Sequence, residues 1–417
     1  MRIAIIGTGV AGVVAARELS TDHEITVFEA AGRIGGHVNT VDVELDDGDF
    51  AVDTGFIVHN DRNYPILTAL FEELGVATQP SEMSFSVTDP GRGVEWAGGT
   101  RTGVFPQARR LVDAGHLRML ADIVRFNRAA RTWLAEHPAD DTTTLAELLA
   151  RGTWSDRFRD HYLIPLGAAV WSADPASFDR FPARALLSFL DHHGLLELTG
   201  RPQWRTITGG ARRWVDAATA PFADRIHTAT PVRRILRDPA GVDVTTDRGT
   251  DRFDGVVVAV HSDQALAMLG DPTPAEDEIL GAVRYQDNDA VLHTDESVLP
   301  RARRAWASWN VLVDGVDRGR VAVTYHMNRL QRIESRHEIC VTLNATDLVD
   351  PETVLGRFRY SHPVFDVAAM DAQRQRERIQ GVRRTWYAGA WLGYGFHEDG
   401  ARSAHEAVRS IRTATVA

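Results

Sequence analysis

The sequence predicts an α/β protein: a Rossmann-type nucleotide-binding domain interrupted by a discontinuous α+β domain made of a mixed sheet and a helical cap. Three observations carry that expectation. A strand, a glycine turn, a helix and a second strand ending in an acid follow one another from Arg2 to Glu29. Strands of the same character return after residue 205, and again at 385–389 before a final helix. Between these returns the pattern changes to helical apolar stripes and to strands of alternating polarity. The resulting division is 1–80, 205–270 and 375–417 for the nucleotide-binding domain. The second domain takes 81–204 and 271–374, with its helical part at about 108–196.

The opening run Arg2-Ile3-Ala4-Ile5-Ile6 is a short β-branched strand, and Gly7-Thr8-Gly9-Val10-Ala11-Gly12 follows at once. Gly7 allows the tight turn, Gly9 lets backbone approach a pyrophosphate, and Gly12 lets helix and strand pack closely. Ala11, Val14, Ala15 and Leu19 share one face of the helix. Its first turn, at Val10 and Ala11, offers free N–H groups and a positive dipole end to phosphate. A second strand, from Ile25 to Phe28, ends at Glu29 and Ala30, where a carboxylate can hydrogen-bond an adenosine ribose. A lone GxGxxG is weak evidence; the strand, helix and terminal acid around it make it strong. Arg33-Ile34-Gly35-Gly36-His37 then extends the unit into a loop with adjacent glycines. A nicotinamide fold has no need of that loop. A flavin dinucleotide does, because the chain must lie against its diphosphate and ribityl. FAD is the expected cofactor.

Further elements follow in order. Asp46-Asp47-Gly48 is a turn, and a short strand leads to Asp53-Thr54-Gly55-Phe56 and on to His59 and Asn60. Tyr64 to Leu74 reads as a helix with Pro65 in its first turn and Gly75 past its end. Ser84–Thr88 and Gly93–Trp96 alternate like paired strands. In the helical part, Leu117, Leu120, Ile123, Val124, Trp133 and Leu134 are read as one apolar stripe, and Thr144 with Glu147 as a capping box. The run Gly167–Ser172, which contains Trp171, is nearly free of charge; its small residues suit either ligand approach or tight helix packing. Asp191-His192-His193 offers no third ligand, so no metal site is expected. Arg225–His227 and Pro231–Ile235 are read as the third strand of the nucleotide-binding domain, and Phe253–Val260 as a buried one. Val321–Met327 alternates with Val323 and Tyr325 on one face, a wall for an apolar cavity or a core under the cap. Thr385–Gly389 is a last strand, and Gly395–Gly400 opens a helix with Ala404, Ala407, Val408 and Ile411 on one face.

Arg33-x-Gly35-Gly36 after this opening resembles the flavin-containing amine oxidase superfamily, which includes monoamine oxidases, phytoene desaturases and protoporphyrinogen oxidase. The similarity covers nearly the whole chain, through 35–40, 53–58, 80–85, 167–172, 202–205 and 395–400. It is closer to a bacterial branch of FAD-binding oxidoreductases associated with modification of membrane fatty acids. The resemblance implies that Thr54, Gly55 and Phe56 run beside the flavin ring and that the Val232 backbone meets the adenine. It implies that the last helix points its N-terminus at the flavin N1/O2 edge, where negative charge develops on reduction. Many relatives place an acid after the glycine equivalent to Gly389. Here Ala390 and Trp391 stand there, which passes the ribityl contact to Glu398, to Asp399 or to backbone. His397 and Glu398 are the leading acid–base candidates; His59, Tyr325 and His326 are held in reserve, and Trp171 is a further candidate beside the ring.

Composition narrows the function class. The net charge of −11 disfavours a general nucleic-acid binder and a polybasic membrane anchor, though it leaves room for a local basic face. Every basic residue is arginine. The lysine that many amine oxidases place near flavin N5 is therefore missing, and Schiff-base chemistry is excluded. Cys340 is the only cysteine. It fits a reducing cytoplasm, and its distance in sequence from the carboxyl-terminal flavin motif makes the FAD non-covalent. No apolar run reaches the roughly 18 residues of a membrane span, so peripheral contact with the inner membrane is the expectation left open, as is the oligomeric state. The leading reading is an FAD oxidoreductase acting on an apolar or lipid substrate, by desaturation or double-bond isomerisation of a fatty-acyl chain. The alternatives are a flavin amine oxidase and a non-catalytic FAD-stabilised binding protein.

Overall fold

The computed structural model describes residues 1–138, 141–197 and 200–416. Its organising layer is a five-stranded parallel sheet. From one edge to the other it runs Ile226–His227, Glu24–Phe28, Arg2–Ile6, Gly255–Val258 and Thr385–Tyr387. Ile5 stands between Val27 and Val257 in register. The three central strands are largely apolar and buried past their first residues because both faces are covered. One face packs on the amino-terminal helix Val10–Leu19 and the carboxyl-terminal helix His397–Val416, burying Ile3, Val14, Val27, Ala404, Val408 and Ile411 together. The other face packs on an antiparallel layer through Ile6, Phe28, Val258, Ile235 and Val244.

That antiparallel layer corrects the reading of Pro231–Ile235. Only Ile226–His227 pairs beside Glu24–Phe28. The chain then turns through Ala229, at φ +47°, and Val232–Asp238 enters a separate three-stranded sheet with Gly241–Thr246 and Gly249–Phe253. Its pattern explains the choice. Val232 and Ile235 are buried while Arg233 and Arg234 are exposed, which suits a half-solvated antiparallel strand and not the middle of a parallel sheet.

The second sheet has seven strands in the order Val354–Val364, Arg284–His293, Cys340–Leu343, Ala322–His326, Trp309–Leu312, Phe85–Asp89 and Val94–Ala97. Val87, Val323, Val341, Ala290 and Leu292 point into one core with the helical cap. The opposite face is polar yet buried, and it closes on itself: the Thr342 hydroxyl is 2.8 Å from both Thr324 Oγ1 and His293 Nε2.

The cap is built on helices Ala114–Glu136, Leu145–Ala150, Ile164–Trp171 and Ala183–His192. Thr144 and Glu147 form the capping box. The stripe on the long helix differs from the expected one. Met119, Ile123, Phe126, Ala130 and Trp133 face the core, whereas Leu117 and Val124 face solvent. The reason is polar. Asp122 occupies the core side with a fully buried carboxylate, held by Arg118, Arg125 and the Ser155 N–H, and this rotates the aliphatic positions outward.

Candidate active site

The three glycines of the first turn have three different surroundings. Gly7 takes φ +96°, and a Cβ there would lie 2.7 Å from the Ala259 carbonyl oxygen. A Cβ on Gly12 would lie 1.9 Å from the Gly7 carbonyl oxygen, so helix and strand touch only because it has none. A Cβ on Gly9 would meet nothing within 4 Å. The space above Gly9 is thus a cradle that the protein itself leaves unfilled. No side chain caps the helix that begins at Val10.

The second glycine loop closes over the first. Gly35 N–H donates to the Thr8 carbonyl at 3.0 Å, and a Cβ on Gly36 would lie 3.0 Å from the Gly9 Cα. Arg33 braces this loop by donating to the carbonyls of Gly36 (2.8 Å) and Val38 (3.1 Å). Glu29 accepts from Thr8 N–H (2.9 Å), the Thr8 hydroxyl (2.5 Å) and Ala31 N–H (2.8 Å), with Ala30 exposed beside it. The turn before Val232 lies here as well, since Thr230 N–H donates to the Glu29 carbonyl.

The carboxyl end completes the cradle. A Cβ on Gly400 would lie 2.6 Å from Val10 Cγ1 and 3.7 Å from the Ala11 nitrogen, so the first turns of two helices meet. Residues 37–39 and 54–56 run beside them: Phe56 N–H donates to the His37 carbonyl and Thr54 N–H to that of Asn39, both at 2.9 Å. Only glycine fits at Gly55, where a Cβ would be 2.1 Å from the His37 carbonyl oxygen. Phe56 stacks on His397 with centroids 4.0 Å apart.

Around this point the fold gathers histidines from four distant stretches. His37 lies 5.4 Å from His362 and 6.1 Å from His261, ring to ring, and 5.2 Å from Tyr360. His261 stacks on Tyr285 at 4.4 Å. Asn39 and Thr54 hold the Tyr360 hydroxyl at 2.9 and 2.6 Å, and Asn288 meets His362 Nδ1 at 3.1 Å. His37, His261, His362 and His397 each keep part of their surface accessible. Burial nonetheless drives all four downward, His362 to about 4 and His397 to about 3. Partly accessible yet desolvated, these imidazoles line a recess, where they are neutral at pH 7 and each offers one N–H and one acceptor. His37 Nε2 is buried with no partner.

An aromatic wall leads from this cleft into the cap. Trp171 packs on Phe189 at 4.9 Å, Phe189 stacks on Phe396 at 4.9 Å and on His193 at 3.9 Å, and His193 stacks on Trp204 at 5.8 Å. On the sheet side, Tyr325 meets Trp309 edge-on at 5.1 Å. Burial raises the Tyr325 phenol, although part of its surface stays accessible.

Several expected roles are corrected by this geometry. Glu398 points away from the cleft: its two oxygens accept from Ile66 N–H (2.8 Å) and Leu67 N–H (3.1 Å), capping the helix Pro65–Glu73 at its positive end. Asp399 accepts from Tyr394 N–H (2.9 Å) and Phe396 N–H (3.1 Å) and pairs with Arg402. Both carboxylates therefore hold backbone. His59 lies edge-on to Phe71 at 5.1 Å, in the core under the Pro65–Glu73 helix, where burial lowers it to about 4. Trp171 spends its N–H on the Tyr394 carbonyl at 3.1 Å and serves as wall. Trp391 folds back over Gly389 into the core behind the parallel sheet. His326 sits on the closed polar side of the seven-stranded sheet, paired with Glu338 at 2.6 Å. Sequence reasoning missed Tyr360 and His362. Their only signal is the i, i+2 spacing of Phe358, Tyr360 and His362, one face of a strand.

A family profile described as flavin containing amine oxidoreductase matches residues 10–293. The chain belongs to this family. A Mycobacterium tuberculosis protein named as a flavin-containing monoamine oxidase, AofH, is 31% identical over 281 residues; the match spans 65% of this chain and 59% of that protein, less than two thirds of the relative's length. Among solved structures the fold is shared with a redesigned putrescine oxidase (TM-score 0.71, 16% identity, 99% of each chain). It is shared equally with a CLA-producing fatty acid isomerase from P. acnes (TM-score 0.71, 18% identity, 98% of each chain). Cyclohexylamine oxidase from Brevibacterium oxydans is similar too (TM-score 0.69, 17% identity, 100% of this chain and 99% of that one).

The residues fit the family's flavin. The open cradle at Gly9, the uncapped helix start at Val10 and the unpartnered His37 nitrogen are groups that a dinucleotide would fill or satisfy. Cys340 is fully buried in the seven-stranded sheet, where burial raises its thiol, so the FAD is held without a cysteinyl bond. The Glu398 cap has a measurable consequence. Glu398→Ala is expected to cost about 1–2 kcal/mol and to lower the melting midpoint by a few degrees, read by circular dichroism.

Proposed function

We propose that this chain is an FAD-dependent oxidoreductase acting on an apolar substrate, a fatty-acyl chain that it desaturates or in which it moves a double bond. One observation carries the reading. The aromatic pair Trp309 and Tyr325 on the sheet and the pair Phe189 and Phe396 beside the cap pack on one apolar core, and His362 and His397 nearby are kept neutral by burial. The two carboxylates that follow His397, Glu398 and Asp399, are already spent on backbone N–H groups. An ammonium substrate would find neither Glu398 nor Asp399 free to offset its desolvation, whereas an alkyl chain needs no anion.

FAD, when bound, supplies a hydride acceptor and donor. The chain's own contribution is to bind and orient the alkyl substrate against the aromatic wall, to exclude water, and to move one proton. His397 is the residue to which we assign the last task. It begins the carboxyl-terminal helix and its ring nitrogens take no hydrogen bond among the described residues. Burial disfavours its charged form, so it would take up a proton only transiently, within the reacting complex. His397→Ala is expected to keep its flavin spectrum and to lose turnover by about 100-fold or more; a variant that cannot hold FAD would make His397 structural.

Anaerobic mixing separates the substrate classes. Unsaturated fatty acids or phospholipids should bleach the flavin or be isomerised without net bleaching, and primary amines should do neither. Bleaching by amines alone would favour a second reading, an amine oxidase, which the AofH likeness supports.

A further inference from the structure

Leu117 and Val124, turned outward on the long cap helix, belong to a larger feature. The structure leaves Leu111 52%, Val112 82%, Leu117 44% and Val124 43% exposed. Leu111 and Val112 end the single 3-10 turn Ala108–Val112 that runs into the helix. Leu117, Ala121, Val124 and Arg128 recur at i, i+4, i+7 and i+11, one outer stripe opposite the buried Met119, Ile123 and Phe126. The five other large apolar side chains left exposed among the described residues are scattered at positions 236, 316, 348, 355 and 367.

The charge around this stripe is opposite to that of the chain. Residues 101–131 hold seven arginines and two aspartates, in a protein of net charge −11. Both aspartates are consumed. Asp113 pairs with Arg110 (2.7 Å) and Arg157 (2.8 Å), and the buried Asp122 with Arg118 and Arg125. Arg101, Arg109 and Arg128 meet no carboxylate among the described residues, and their side chains lie in solvent.

We propose that this face seats the protein on an anionic phospholipid surface, with Leu111 and Val112 entering the headgroup–acyl boundary and the surrounding arginines meeting lipid phosphates. Apolar tips rimmed by arginine are what such a surface binds, each cation contributing attraction to anionic headgroups. A second copy of the chain is the poorer occupant. A twofold dimer would press the same arginine-rich patch against itself, and like charges there repel. No described helix is long and apolar enough to cross a membrane, so contact of this kind stays at the interface. Charge and exposure alone favour this seating, whatever the substrate.

The test is sedimentation of the full-length flavoprotein with vesicles of phosphatidylcholine alone or with 30% phosphatidylglycerol. Binding is expected to the anionic vesicles and to weaken at least tenfold in 0.5 M salt. The double variants Leu111→Asp/Val112→Asp and Arg109→Glu/Arg128→Glu should each lose at least tenfold in binding while keeping flavin and melting midpoint. Leu348→Asp/Leu355→Asp, exposed elsewhere, should bind as the parent does. Absence of binding to anionic vesicles, or binding that neither pair of variants weakens, overturns the proposal. A concentration-dependent dimer abolished by the same variants also overturns it and assigns the face to a second copy.

Discussion

Gly9→Val is expected to yield a folded chain that no longer takes up FAD. The backbone at Gly9 has φ −63° and ψ 177°, which any residue adopts, and nothing lies within 4 Å of where its Cβ would be. Fold stability should therefore barely change. The space filled is the one the pyrophosphate needs, beside the uncapped start of helix Val10–Leu19. Displacing the phosphates from that helix end should weaken FAD by about 100-fold or more, roughly 3 kcal/mol. Titration of apoprotein with FAD, followed by quenching of flavin fluorescence, reads this directly. Gly12→Val is the contrasting control: its Cβ would sit 1.9 Å from the Gly7 carbonyl oxygen, so the chain should fail to fold. A Gly9→Val protein that binds FAD as the parent does would remove the cradle from the cofactor site.

Acid should unfold the protein well before its carboxylates are neutralised. Burial lowers His59, His193, His293 and His362 to about 4 and His397 to about 3. In the unfolded chain each returns to about 6.5. Between these values the unfolded state binds more protons, so the stability these groups confer is complete above pH 6.5 and is lost as the pH falls toward 4. One pH unit below 6.5, each such histidine costs about 1.4 kcal/mol. Asp53 opposes them. Its carboxyl is raised to about 7 by burial, despite hydrogen bonds from Thr40 and Ala211, so folding gains from its protonation over the same range. Burial raises Glu398 and Asp399 in the same sense, but five histidines outweigh these three carboxylates, and the net loss near pH 5.5 reaches a few kcal/mol against a typical total of about 5–15. The melting midpoint should fall steeply between pH 7 and 5.5. A flat midpoint down to pH 5 would show that these histidines titrate normally.

Local rules placed much of the framework. Arg2–Ile6, Gly7, Gly12 and the Val10–Leu19 helix follow from a β-branched run, a required turn and an apolar face, all contained in about 20 neighbouring residues. The hairpin through Asp46-Asp47, the helix after Tyr64 and the Thr144 capping box are equally local. Errors arose where a local pattern had two outlets. Pro231–Ile235 reads as a strand in either sheet, and only the exposed Arg233 and Arg234 show which one it joins. Leu117 and Val124 read as core until a buried Asp122 turns the helix.

Sequence alone determined that this chain carries a dinucleotide cradle with a flavin loop behind it, because the glycine spacing and the terminal acid act within one βαβ unit. The tertiary structure decided which side chains face the cleft. Glu398 looks catalytic from its position but caps a helix that starts more than three hundred residues earlier. His37, His261, His362 and His397 come together only because four separate stretches converge on one point. The direction of a side chain depends on neighbours distant in sequence, and no spacing within a single segment records them.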